Sequence, residues 1–126
     1  MTEKTKILLI DDEDALREMM VDELTAEGHD VVEAANGEEG LKKLLEIKPD
    51  LVLCDRAMPG MSGYELLEII REKHPEYDGI PFVFLTALTD ARDREAVDHL
   101  RPAAYIEKPV DFGMLEEKIK VLVRKK

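Results

Sequence analysis

Five polar residues in this chain follow directly on apolar runs, and their types allow one shared chemistry. Asp11 and Asp12 come after "KILLI", Asp55 after "DLVLC", Thr86 after "PFVFL" and Lys108 after "AYIE". Two carboxylates about 4 Å apart repel by roughly 4 kcal/mol at an effective dielectric near 20, so three gathered together call for a cation. An oxygen-only donor set without His or Cys suits a hard ion. A half-open carboxylate site that keeps waters and accepts a phosphate oxygen suits Mg²⁺ better than Ca²⁺. Lys108 offers a positive charge to a phosphoryl group and Thr86 a hydroxyl, while a carboxylate can itself become an aspartyl phosphate. Asp55 is the candidate acceptor.

These residues can act together only if the elements before them end in one place. The runs "KILLI", "DVVEA", "DLVLC", "PFVFL" and "AYIE" read as five strands. Between them, Leu16, Met19, Met20 and Leu24 are expected on one helical face. The same holds for Leu41, Leu44 and Leu45, for Leu66, Ile69 and Ile70, and for Leu115, Ile119 and Leu122. A further helical segment, the fourth of five, is "DARDREAVDHL". It offers only Ala91, Ala96, Val97 and Leu100 to a core and is expected to be the least firmly packed, with Pro102 helping to end it. Strict alternation of strand and helix implies an α/β fold with a parallel sheet covered on both faces. In such sheets ligands bind outside the carboxyl ends of the strands, where Asp11, Asp12, Asp55, Thr86 and Lys108 are expected to converge.

Each residue also has a purely local reading. Acidic runs such as "DDED" are commonly solvated first-turn charges, and Glu13 and Asp14 are expected to be so. For Asp11 and Asp12 the buried strand before them argues otherwise. Asp55 alone could be a turn residue, Thr86 a helix cap and Lys108 a surface charge. His29, His74 and His99 have no ligand-like spacing and are expected to be solvated. Cys54, the one cysteine, lies within an apolar run and reads as a small core residue, which leaves no partner for an intrachain disulfide.

Composition narrows the setting. The 126 residues suit one domain, expected to span 1–126 with its core from about 6 to 123. No apolar run reaches the length of a membrane span, and "MTEKTK" is unlike a secretory leader, so a soluble chain in the cytoplasm is expected. Acidic residues outnumber basic ones by 29 to 18, for a net charge of −11. That balance argues against direct DNA binding and membrane insertion, and favours cations and basic partners.

Taken together, "ILLIDDE", "DLVLCDRAMPGMSGYELL", "FVFLTA" and "YIEKPVD" resemble the receiver domain of two-component response regulators over residues Lys6 to about Val123. The resemblance implies a doubly wound, flavodoxin-like sheet in the order 2-1-3-4-5 with five helices. It implies that Asp55 takes a phosphoryl group from a histidine kinase or histidine phosphotransfer protein, and that the switch then governs a downstream protein target or a phosphorelay. Asp12, Asp55 and the backbone carbonyl of Ala57 would hold Mg²⁺ directly, with Asp11 acting through water. Thr86 and Lys108 would hold the phosphoryl oxygens, and Tyr105 would turn inward with Thr86 on switching. The readout would be the face of the fourth helix, last strand and last helix. A cis Lys108–Pro109 bond would aim the ammonium.

Arg101 and Pro102 stand where family members commonly carry Gly-Ala. Ala57 and Leu88 occupy places where side chains tune phosphoryl lifetime. The chain stops at "VLVRKK", which suits either a single-domain regulator or a receiver excised from a longer protein. Two other classes remain as alternatives. One is a receiver-like interaction module that works without phosphorylation, although such a module would not need all five residues. The other is a haloacid-dehalogenase-like aspartyl phosphatase, whose D-x-D-x-T pattern "DDEDA" lacks. A flavodoxin is excluded, because four acids replace its phosphate-binding loop. The chain is expected to promote its own phosphorylation and dephosphorylation rather than turn over a small-molecule substrate.

Overall fold

The computed structural model describes residues 4–87 and 98–124. Five strands, β1 (Lys6–Ile10), β2 (Asp30–Ala34), β3 (Leu51–Asp55), β4 (Phe82–Thr86) and β5 (Ala104–Glu107), form one sheet in the order β2-β1-β3-β4-β5. Every pairing is parallel. The inner strands β3 and β4 are buried throughout and β1 is buried from Ile7 onward, which is why Ile7–Ile10, Leu51–Cys54 and Phe82–Leu85 are apolar, with the buried polar Asp55 and Thr86 closing β3 and β4.

Alternate residues of each strand serve opposite faces. Ile7, Leu9, Leu53 and Leu85 join Met20 and Leu24 of helix α1 (Asp14–Ala26) and Leu115 and Ile119 of helix α4 (Phe112–Arg124). Leu8, Ile10, Cys54 and Phe84 join Leu44 of α2 (Gly37–Ile47) and Leu66, Leu67 and Ile70 of α3 (Gly63–Lys73). Two helix starts are fixed by side chains. Asn36 accepts the Glu39 N–H at the head of α2, and Ser62 and Glu65 form a reciprocal capping box at the head of α3.

Four α-helices stand among the described residues. The remaining expected one falls largely on residues 88–97 and, with Leu88, lies outside the described residues; Asp98–Leu100 form a 3₁₀ turn with Leu100 buried. Met19 and Leu45, expected on core faces, are 48% and 38% exposed. Each lies about 100° around its helix from a buried neighbour, Met20 or Leu44, and that step carries it off the buried arc. His29 is also not the solvated group expected: its Nε2 lies 2.6 and 2.7 Å from the two carboxylate oxygens of Glu116, tying the α1–β2 turn to α4.

The departure at Arg101 and Pro102 is accommodated by an ionic bracket. Arg101 holds φ +59°, a left-handed conformation that favours glycine. The partly buried Arg71 of α3 donates to the carbonyls of Leu100 (2.7 Å) and Arg101 (3.1 Å), and Asp78 accepts from both guanidinium groups.

Candidate functional site

Strand register brings the polar residues to one edge. Ile10 pairs with Cys54 and Asp55 with Leu85, so Asp11 and Asp55 leave neighbouring strands side by side. Thr86 pairs with Glu107 on β5, and its carbonyl accepts the Lys108 N–H at 2.8 Å. Carboxylate oxygens of Asp11, Asp12 and Asp55 lie within 4.8 Å of one another. Asp11 is fully buried, Asp55 and Thr86 are nearly so, and Asp12 opens to solvent. The Lys108 ammonium stands 3.3 Å from Asp55 Oδ1 and 3.5 Å from Asp11 Oδ2, and the Lys108–Pro109 bond is cis.

Burial pushes the Asp55 carboxyl up to about 6. The Lys108 ammonium pulls the other way, the Asp11 charge adds to the rise, and a hydrogen bond from the Ala57 backbone again lowers it. Burial would lower the Lys108 ammonium, but the charges of Asp11 and Asp55 outweigh it and hold the group above its ordinary value. One cation thus faces two buried anions with a third beside them, and the cluster keeps an excess of negative charge. Three carboxylates with no nitrogen or sulfur donor among them fit a hard divalent cation.

Glu13, Asp55, Arg56, Ala57, Thr86 and Lys108 line a cavity of about 220 Å³. That is below the usual size of a small-molecule substrate pocket and adequate for a phosphoryl group with its water. Glu13 and Asp14 are exposed, as their first-turn position suggests. Cys54 is buried, its thiol pushed up by burial and donating to the Asp55 carbonyl at 3.3 Å.

Two supports for the site were not visible in the spacing of residues. Arg17 of α1 donates to the Asp11 carbonyl at 2.6 Å while pairing with Glu33 at 2.9 Å and Asp14 at 2.8 Å, so it locks the first acidic turn to β2. The only sequence sign of it is the i, i+3 pair with Asp14. Gly63 packs directly on β3: a Cβ there would come 2.5 Å from the Asp55 carbonyl oxygen. Tyr105 is half-buried, its ring stacked on Phe84 and its hydroxyl donating to Asp98 at 3.1 Å.

Comparison with known proteins gives a consistent result. The family model for the response regulator receiver domain matches residues 7–120. The chain is 40% identical over 121 residues to the transcriptional regulatory protein AfsQ1 of Streptomyces coelicolor, covering 94% of this chain and 51% of that protein. It is 34% identical over 126 residues to the DNA-binding response regulator MtrA of Mycolicibacterium smegmatis, covering 98% and 53%. The chain therefore spans about half the length of these curated relatives. Among solved structures it is similar to the Vibrio cholerae chemotaxis protein CheY4, with a TM-score of 0.89, 26% identity and coverage of 95% and 99%. A response regulator receiver protein from Pseudomonas putida gives 0.84, 27%, 96% and 99%.

Proposed function

Because this chain belongs to the response regulator receiver family, we propose that it is a phosphorylation-dependent switch in a two-component system. Asp55 is the phosphoacceptor, and a histidine kinase or histidine phosphotransfer protein is the donor. The observation that carries this reading is the buried Asp55 carboxylate, 3.3 Å from Lys108 and within one carboxylate cluster with Asp11 and Asp12.

An Asp55 oxygen attacks the phosphorus of a phosphohistidine in line. The new O–P bond forms as the P–N bond breaks, and the electron pair leaves with the imidazole nitrogen, which is protonated by water. Lys108 neutralises charge on the transferring oxygens, Thr86 offers its hydroxyl to one of them, and the low-dielectric edge strengthens both contacts. Asp12, Asp55 and the Ala57 carbonyl would hold Mg²⁺, with Asp11 acting through water; when bound, the ion supplies further charge neutralisation. Arg17 and Gly63 fix the carboxylates rather than touch the phosphoryl group. Tyr105 and Thr86 then report the new charge to the surface around β5 and α4, where a downstream protein binds or the phosphoryl group is passed on. The protein acts in the cytoplasm as a signalling element and turns over no small-molecule substrate.

Transfer from a phosphorylated histidine phosphotransfer protein tests this. Label should move to the chain and be absent from Asp55→Asn; label reaching that variant equally, or neither protein, overturns the assignment.

A further inference from the structure

Tyr105 belongs to a tier of rings that begins beside the acceptor. Phe84 and Tyr105 are register partners on β4 and β5, and their rings stack with centroids 5.8 Å apart at 29°. On the α3 side, Tyr64 meets Phe84 edge-on at 4.8 Å and 88°, and Phe82 meets it at 5.1 Å and 62°. The guanidinium of Arg56, next in sequence to Asp55, stands 5.3 Å from the Tyr64 ring centroid. Phe84 is fully buried, and a Cβ on Gly63 would approach its ring edge to 3.2 Å, so the ring has no slack toward α3.

We infer that Tyr64 and Phe84 are positioning residues that set the orientation of Tyr105, an inference that rests on the reading of Tyr105 as the switch residue. Close-packed rings cannot turn independently, because edge-on and stacked contacts hold only in a few discrete arrangements. A pivot of Tyr64, driven where Arg56 leaves β3, must be taken up by Phe84 and then by Tyr105. The hydroxyl of Tyr105 in turn holds Asp98. This route runs through ring packing and is separate from the hydroxyl of Thr86. Coupling along this route is read at Tyr105 while a residue two rings away is altered.

The chain has three tyrosines, and fluorotyrosine labelling gives each one a ¹⁹F resonance. Tyr105 is assigned from Tyr105→Phe. In the unphosphorylated chain, Tyr64→Leu should shift the Tyr105 resonance toward that of exposed fluorotyrosine, while Tyr64→Phe, which keeps the ring, should leave it in place. Tyr64 is only partly buried, and Tyr64→Leu keeps an apolar side chain against the core, so the fold is expected to survive both changes. On adding acetyl phosphate with Mg²⁺, the displacement of the Tyr105 signal should shrink in Tyr64→Leu and persist in Tyr64→Phe. A Tyr105 resonance indifferent to Tyr64→Leu before phosphorylation overturns the inference while leaving the chemistry at Asp55 intact. An equal displacement in both variants overturns it as well. Absence of any phosphoryl gain on the parent chain would instead overturn the function proposed for Asp55, with the ring coupling still readable in the unphosphorylated protein.

Discussion

Lys108 and Asp55 meet across the carboxyl edge of the sheet, the ammonium 3.3 Å from one carboxylate oxygen and 3.5 Å from the buried Asp11. One cation is shared between two buried anions, so its removal leaves both uncompensated. We expect Lys108→Ala to lower stability by about 2–4 kcal/mol, since breaking a buried pair strands its partner. Adding Asp55→Asn should restore part of that loss. Urea unfolding of the single and double variants in chelator checks this, and a double variant no more stable than Lys108→Ala contradicts it.

The contribution of Asp55 to the pH dependence of stability should carry the sign opposite to that of an ordinary salt-bridged carboxylate. Burial holds Asp55 at about 6 against an ordinary value of 3.8. The folded state therefore takes up a proton at a pH where the unfolded chain has already lost it. The contribution of Asp55 to stability falls as pH rises from about 4 to about 6, by on the order of 1–2 kcal/mol once water at the site is allowed for. Melts in chelator should show Asp55→Asn gaining on the parent across that window and holding its advantage above it. Parallel curves would contradict the raised value.

Divalent cation should stabilise the parent by mass action, by about 3 kcal/mol at one hundred times its Kd. Asp12→Ala should lose that response, and in chelator should melt no lower than the parent, because relief of repulsion among the three acids offsets what is removed. Thermal melts with and without Mg²⁺ distinguish the two effects. A full Mg²⁺ response in Asp12→Ala would place the ion elsewhere.

Gly63→Ala should destabilise the chain by about 1–3 kcal/mol, since its methyl group would stand 2.5 Å from the Asp55 carbonyl and force α3 away from β3. Denaturant unfolding measures the loss, and a neutral substitution would mean that α3 is free to shift at its head.

Much of this architecture is legible because inner parallel strands must be apolar on both faces. "KILLI", "DLVLC" and "PFVFL" therefore announce themselves, and the polar residue after each marks the sheet edge. The gathering of Asp11, Asp12, Asp55 and Lys108 on one edge follows from their places at the carboxyl ends of parallel strands. What stays hidden depends on where helices sit against that sheet. Arg17 reaches the Asp11 carbonyl, and His29 reaches Glu116 from a distant turn, because of helix placement that no local spacing encodes. Met19 and Leu45 look like core residues in a pattern count, yet a rotation of one residue step puts them in water. The left-handed Arg101 is tolerated because Arg71 and Asp78, distant in sequence, bracket it.

Asp55 is proposed to accept a phosphoryl group in a metal-dependent manner. The most direct measurement is the intact mass of the chain after exposure to acetyl phosphate and Mg²⁺, beside Asp55→Asn and a chelator control. The parent chain should gain one phosphoryl group, and the gain should disappear in both controls. No gain from acetyl phosphate or from a phosphorylated phosphotransfer protein, or an equal gain in Asp55→Asn, would contradict it.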